Sequence, residues 1–173
     1  MNYIEAEILK YIASMVSNPF FDGLFEFISI LGNKGALWII LSLVMLMFKK
    51  TRKAGICCAL SLVICLILGN LILKPLVGRI RPYNFDKEIQ IIIPPLLDGS
   101  FPSGHTMASF AFASSLRKYF KKAGLFALIV AVFMGLSRIY LCVHYPTDVL
   151  AGVLFGIGFG MISYKINERL FPQ

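Results

Sequence analysis

Apolar residues gather in five long runs separated by short clusters of charge. Ala54–Leu73 is 20 residues without a charge, enough to cross a hydrocarbon core of about 30 Å as a helix. Ala36–Phe48, Thr106–Leu116, Ala123–Ser137 and Val149–Tyr164 are shorter, and they become spans once the polar residues at their ends are counted as terminal turns. The pattern predicts five spans at 33–48, 54–73, 104–118, 123–141 and 147–164. A segment of different character precedes them. In MNYIEAEILKYIASMVS, Ile4, Ile8, Tyr11, Ile12 and Met15 recur at helical spacing, the pattern of an amphipathic helix lying along a membrane surface. Glu5, Glu7 and Lys10 interrupt that segment, so it lacks the unbroken apolar stretch of a cleavable signal peptide. After a break at Asn18-Pro19, residues 19–31 either continue along the surface or form a short first span. The expectation is an all-α protein of one domain, 1–173. It is an integral membrane helical bundle of about five to six spans, with an N-terminal amphipathic interfacial helix (1–32) ahead of the transmembrane bundle (33–173).

Composition strengthens this reading. The chain is 58% hydrophobic and 15% charged, too apolar for an ordinary soluble domain. Its net charge of +8 would point to nucleic acid in a soluble protein, but here the basic residues sit in short loops. KKTRK (Lys49–Lys53) and RKYFKK (Arg117–Lys122) each carry four positive charges and no acid, and Lys165 and Arg169 follow the last apolar run. The positive-inside rule places these on the cytoplasmic face. The N-terminus then lies outside and the C-terminus inside, and of the nine acids only Glu168 falls on the cytoplasmic side. Topology accounts for the loop charges without a nucleic-acid partner. The four cysteines (Cys57, Cys58, Cys65, Cys142) show no metal-site spacing and read as small packing residues. Gly152, Gly156 and Gly160 line one face of the last span, which lets another helix approach closely.

A second set of polar residues is left over, all at the outer mouths of spans: KPLVGRIRP (Lys74–Pro82), PSGH (Pro102–His105) and SRIYLCVHYPTD (Ser137–Asp148). Charged residues at bilayer depth are costly and face polar cavities, and three basic stretches at one face suit an anion. Lys74, Arg81 and Arg138 supply cations, and arginine grips phosphate oxygens in pairs. Ser103 and Gly104 stand where a helix begins, so unpaired N–H groups and the positive end of its dipole face the anion. Pro146 suits the first position of the last helix, which puts Asp148 in its first turn, within reach of His144. A carboxylate on one imidazole nitrogen fixes the tautomer and frees the other nitrogen to attack, while His105 can protonate a leaving group. Arg79 is assigned to headgroup contact and stays outside this set. A non-catalytic lipid-phosphate binder would use the same cations but would not need two histidines and an acid. A metal-dependent hydrolase would need a ligand cluster, and no closely spaced acids or His-x3-His pair offer one.

These residues resemble the type 2 phosphatidic acid phosphatase superfamily, the lipid phosphate phosphatases. Its three motifs appear complete and in order as Lys74-x6-Arg81-Pro82, Pro102-Ser103-Gly104-His105 and Ser137-Arg138-x5-His144-x3-Asp148. The resemblance implies a metal-independent phosphatase without a cofactor, working through a covalent phosphohistidine. His144 would attack phosphorus, Asp148 would orient it, and His105 would protonate the leaving oxygen and then help activate water. Lys74, Arg81, Ser103, Gly104 and Arg138 would hold the phosphoryl oxygens. Soluble vanadate-dependent haloperoxidases share this anion site, and the spans argue against them. Small members of similar appearance hydrolyse undecaprenyl diphosphate to undecaprenyl phosphate and can confer bacitracin resistance; others act on phosphatidylglycerophosphate, phosphatidate or lipid A. The expected substrate is thus a lipid phosphate, met by a multi-pass protein of the bacterial cytoplasmic membrane with its site facing outward. Loop 83–100, between two motifs, is the expected specificity element.

Overall fold

The computed structural model describes residues 2–172 and is helical throughout its ordered elements. Helix α1 (Asn2–Val16) is followed by α2 (Pro19–Leu31), with Asn18 capping α2 by accepting the amides of Phe20 and Phe21 at 3.1 Å. Helix α3 (Ala36–Met47) follows a tight turn at Gly32–Gly35, where Gly35 adopts φ 71. Helix α4 (Arg52–Ile64) runs into a wider π-helical stretch, Cys65–Leu73, then the single turn α5 (Lys74–Val77) and, past Gly78, α6 (Pro82–Phe85). Helices α7 (Gly104–Tyr119), α8 (Lys121–Tyr140) and α9 (Pro146–Leu170) complete the chain.

Three stretches are long and apolar enough to cross a membrane: Arg52–Phe85, α8 and α9. Helices α2 and α3 meet at a bend of 42° and together would make a fourth, broken span. Helix α7, expected as a span over 104–118, has 16 residues and sits at the centre of the bundle, packed against α9, α8 and α4. Its central place explains its composition. Met107, Ala111, Phe112 and Ala113 are fully enclosed, and the serines among them find partners inside: Ser109 accepts the Trp38 indole N–H at 2.8 Å. Trp38 also packs against Phe112, ring centres 4.8 Å apart.

The outer surface is apolar. Leu150, Leu154 and Met161 of α9 point outward, as do Phe126, Ile129 and Phe133 of α8, the surface expected where the solvent is hydrocarbon. Of the stripe expected on α1, Ile4, Ile8, Tyr11 and Met15 are exposed and Ile12 is half-buried, while Glu5, Ala6 and Leu9 are buried, the last two against the turn after α8. Gly152, Gly156 and Gly160 of α9 face α7. A methyl group at Gly156 would stand 2.5 Å from the Met107 carbonyl oxygen and 2.8 Å from Phe110 Cβ; at Gly152 it would stand 2.9 Å from the Ser103 carbonyl oxygen. Close approach of these backbones fixes the spacing of the two helices whose N-terminal ends carry the motif residues.

Helix α9 runs six residues past the expected end of the last span. Its polar last turns are held rather than frayed. Asn167 donates to the Lys53 carbonyl at 3.1 Å, and Glu168 takes the Lys53 ammonium at 3.0 Å and the Tyr119 hydroxyl at 2.8 Å. The basic clusters therefore lie at the opposite end of the bundle from Lys74, Gly104, Arg138 and Asp148.

Candidate active site

Four chain segments converge at the N-terminal ends of α7 and α9. The first is the end of the long Arg52–Phe85 run. Its π-helical stretch, a feature often found near functional sites, leads directly into Lys74, which is buried despite its charge. The second is the start of α7. Ser103 does not cap the helix with its side chain, since its hydroxyl pairs with Thr106 Oγ1 at 2.9 Å. The first-turn N–H groups of α7 thus remain available to a ligand. Gly104 lies under Asn70, whose Oδ1 would stand 3.0 Å from a methyl group there.

The third segment is the turn between α8 and α9. Cys142, at φ 55, reverses the chain, and the Arg138 carbonyl accepts the amides of Val143 and His144 at 3.2 and 3.3 Å. His144 is turned inward and 1% exposed. The start of α9 is the fourth. Pro146 takes its first position, as expected, and Asp148 accepts the Tyr145 N–H at 2.9 Å through Oδ2. That same oxygen lies 3.6 Å from His144 Nδ1, close enough for attraction but beyond a hydrogen bond. On the other side of the ring, Nε2 faces Arg81 Nη1 at 3.4 Å. The imidazole is thus set between a carboxylate and a guanidinium.

Electrostatics favour a neutral ring. Burial first, then the charges of Arg81, Arg138 and Lys74, push His144 well below the ordinary histidine range. An uncharged imidazole keeps a lone pair for attack. Arg138 is 1% exposed; its Nη1 donates to the Ser29 hydroxyl, and its Nε has no partner among the described residues. A buried guanidinium facing only a hydroxyl is a site that wants an anion.

The eight residues expected from sequence occupy this region. Six of them (Lys74, Arg81, Ser103, Arg138, His144 and Asp148) are buried, and Gly104 opens the central helix. His105 is held from the turn between α2 and α3, with Nε2 3.3 Å from Asn33 Oδ1 and its ring against Gly32. Among the described residues no group of three or more His, Cys, Asp or Glu side chains has metal-site geometry.

Three further residues belong to the region, and sequence reasoning did not find them. Arg79, expected at the headgroups, is instead drawn inward. It donates to Asp148 Oδ1, Glu5 Oε2, Thr147 Oγ1 and Asn2 Oδ1, and lies 4.0 Å over the Tyr145 ring. Four acceptors with two carboxylates outweigh anything a lipid headgroup offers a solvated side chain. Glu5 is 6% exposed and takes Thr147 N at 2.9 Å. Asp98 sits on the loop after α6 with its carboxylate on Lys74 at 2.6 Å and Arg81 at 2.7 Å. Burial opposes its ionisation, yet those two cations hold it down at about 2. The available signal was the interruption of an apolar helix stripe by Glu5 and the presence of Arg79 inside a motif spacing.

Comparison with known proteins identifies the family. The family model described as PAP2 superfamily matches residues 54–172. The undecaprenyl-diphosphatase of Sulfolobus acidocaldarius is 36% identical over 148 residues, covering 85% of this chain and 71% of the relative. A lipid A 4'-phosphatase of Bacteroides thetaiotaomicron is 30% identical, covering 96% of this chain and 80% of the relative. The crystal structure of a transmembrane PAP2-type phosphatidylglycerolphosphate phosphatase from Bacillus subtilis superposes with a TM-score of 0.78 at 26% identity, over 98% of this chain and 87% of that one. With a family match over more than half its length and a helical membrane bundle to carry it, the chain belongs to the PAP2 superfamily and is a multi-pass membrane phosphatase.

Proposed function

We propose that this PAP2 protein removes phosphate from a membrane lipid diphosphate, most closely undecaprenyl diphosphate, through a phosphohistidine at His144. The carrying observation is the setting of His144, between Asp148 at 3.6 Å on the Nδ1 side and Arg81 at 3.4 Å on the Nε2 side. In the first step Nε2 forms a bond to the terminal phosphorus as the bond from that phosphorus to the bridging oxygen of the diphosphate breaks, releasing the lipid monophosphate. His105 delivers a proton to that leaving oxygen. Charge that develops on the imidazole is balanced by Asp148. Lys74, Arg81, Arg138 and the first-turn amides at Ser103 and Gly104 bind the equatorial oxygens, where phosphoryl transfer gains most from fixed positive groups. In the second step water attacks the phosphohistidine, His105 takes its proton, and inorganic phosphate leaves. No step requires a metal ion.

The diphosphate reading is favoured over phosphatidylglycerophosphate by the 36% identity to an undecaprenyl-diphosphatase. The charge pattern supports a site on the outer side of the cell membrane, at the end opposite the basic loops, with 1–173 acting as one catalytic unit. The test is phosphate release by the purified protein in EDTA. Undecaprenyl diphosphate, phosphatidylglycerophosphate and phosphatidate are compared at equal surface concentration, with His144→Ala alongside. The expected result is fastest release from the diphosphate and none from the variant. Preference for phosphatidylglycerophosphate moves the enzyme to phospholipid synthesis. Undiminished release by His144→Ala, or loss of activity in EDTA with recovery on adding a divalent ion, overturns the mechanism.

A further inference from the structure

We propose that Glu5 is a positioning residue for the His144–Asp148 pair, which makes α1 part of the catalytic unit although it precedes residues 54–172 matched to the family. The inference rests on the reading of His144 as the nucleophile.

A carboxylate buried to 6% exposure is costly unless it is paired and fully bonded. Glu5 meets that condition by reaching across to another helix. Its Oε1 accepts the Thr147 amide at 2.9 Å and the Thr147 hydroxyl at 2.7 Å, and its Oε2 takes Arg79 Nη2. The Thr147 amide is one of the first-turn N–H groups that α9 cannot satisfy itself. The start of α9, which carries Asp148, is therefore tied to α1.

The charge arrangement is the second half of the argument. One guanidinium, Arg79, is shared between two buried carboxylates, Glu5 and Asp148. Because Glu5 takes one edge of Arg79, Asp148 is not neutralised one to one and keeps negative charge to offer His144. Attack by His144 Nε2 leaves positive charge on the ring, and Asp148 must answer it. Without the Glu5 charge, Arg79 would belong to Asp148 alone. The groups facing His144 from the surrounding elements are Lys74, Arg81, Arg138, His105 and Asp148. Four of these are cationic or basic, so a lost anion nearby is felt directly.

A latch that merely held α1 in place would, on losing its charge, lower stability and nothing else. Positioning makes a different prediction. The full-length protein in lipid nanodiscs, with EDTA and undecaprenyl diphosphate, is compared with Glu5→Gln and Glu5→Asp for kcat, KM, pH profile, vanadate inhibition and melting temperature. In Glu5→Gln, kcat falls about tenfold or more, as for other residues that orient a reacting side chain. KM and vanadate inhibition stay within about twofold. The acid limb of the kcat profile moves to lower pH, because removing an anion makes His144 harder to protonate. Glu5→Asp keeps the charge on a shorter arm, so its acid limb stays at the wild-type position while kcat is reduced; this variant carries the test if Glu5→Gln does not fold. Glu5→Gln with wild-type kcat overturns the inference. So does a kcat loss with an unmoved acid limb, or Glu5→Asp with a shifted one. If wild type itself releases no phosphate, the catalytic reading falls and takes the inference with it. If wild type is active and only the Glu5 predictions fail, the catalytic reading stands.

Discussion

Asp98 holds Arg81 through two contacts at once: its carboxylate meets Nη2 at 2.7 Å and its carbonyl meets Nε at 2.8 Å. The second carboxylate oxygen takes Lys74 at 2.6 Å. An acid on a loop thus occupies the two cations that a phosphate needs, and its side chain is 55% exposed. Binding of substrate is then an exchange of one anion for another. In Asp98→Asn, vanadate should inhibit about tenfold more tightly and KM should fall, since the competing charge is gone. A steady-state inhibition series at one pH decides it. Weaker vanadate binding in the variant would mean that Asp98 orients the cations rather than competing for them.

Arg138 gives an opposite pairing of stability and function. Its side chain is buried against a serine hydroxyl and forms no ion pair among the described residues. Arg138→Met should abolish phosphate release while leaving the melting temperature unchanged or higher, because a buried charge without a counterion costs more than an apolar replacement. Vanadate should raise the melting temperature of wild type and not that of the variant. A clear loss of stability in Arg138→Met, measured without ligand, would count against the anion-seeking role.

The lowered proton affinity of His144 carries a linkage consequence. In the unfolded chain this histidine binds a proton near pH 6.5, whereas in the folded protein it binds one only well below that. Between those values the unfolded state holds more protons, so stability falls as pH drops below about 6.5. Melting temperatures from pH 8 to pH 5 should therefore decline on the acid side in wild type. The decline should be shallower in His144→Gln.

The seam between α7 and α9 is tightly packed. A methyl group at Gly156 meets the Met107 carbonyl oxygen at 2.5 Å and Phe110 Cβ at 2.8 Å, and neither backbone can yield without moving a helix. Gly156→Ala should lower stability by about 1–3 kcal/mol, the usual range for overpacking, and reduce kcat more than KM. Chemical denaturation in mixed micelles checks the first, and steady-state kinetics the second. A neutral substitution would show that the seam is looser than its contacts suggest.

Much of this site was legible before any coordinates, for a physical reason. Residues suited to face one phosphate are few, chemically narrow and placed at helix ends, so Lys74, Arg81, His105, His144 and Asp148 stand out against an apolar background. Helix positions were legible too, since hydrocarbon demands unbroken runs. What did not show was pairing between charges. Arg79 reads as a headgroup contact from its place in KPLVGRIRP, and only the fold brings it to Glu5, 74 residues away. Asp98 likewise gains meaning only when its loop returns to Lys74. The true end of α9 was hidden because Asn167 and Glu168 are polar, and the partners that hold them, Lys53 and Tyr119, are distant in sequence.

The glycine face of α9 has a bearing on how such an enzyme can change its diet. With α7 and α9 in backbone contact, the gauge of the reaction floor is set by atoms that are absent, and no side-chain substitution there can widen it gradually. The rim is different: the loop bearing Asp98 meets the site through its carboxylate and through backbone carbonyls, and Glu5, Ser29 and Asn33 of the N-terminal segment meet it through side chains. New lipids can be accommodated by editing that rim while the floor stays unaltered.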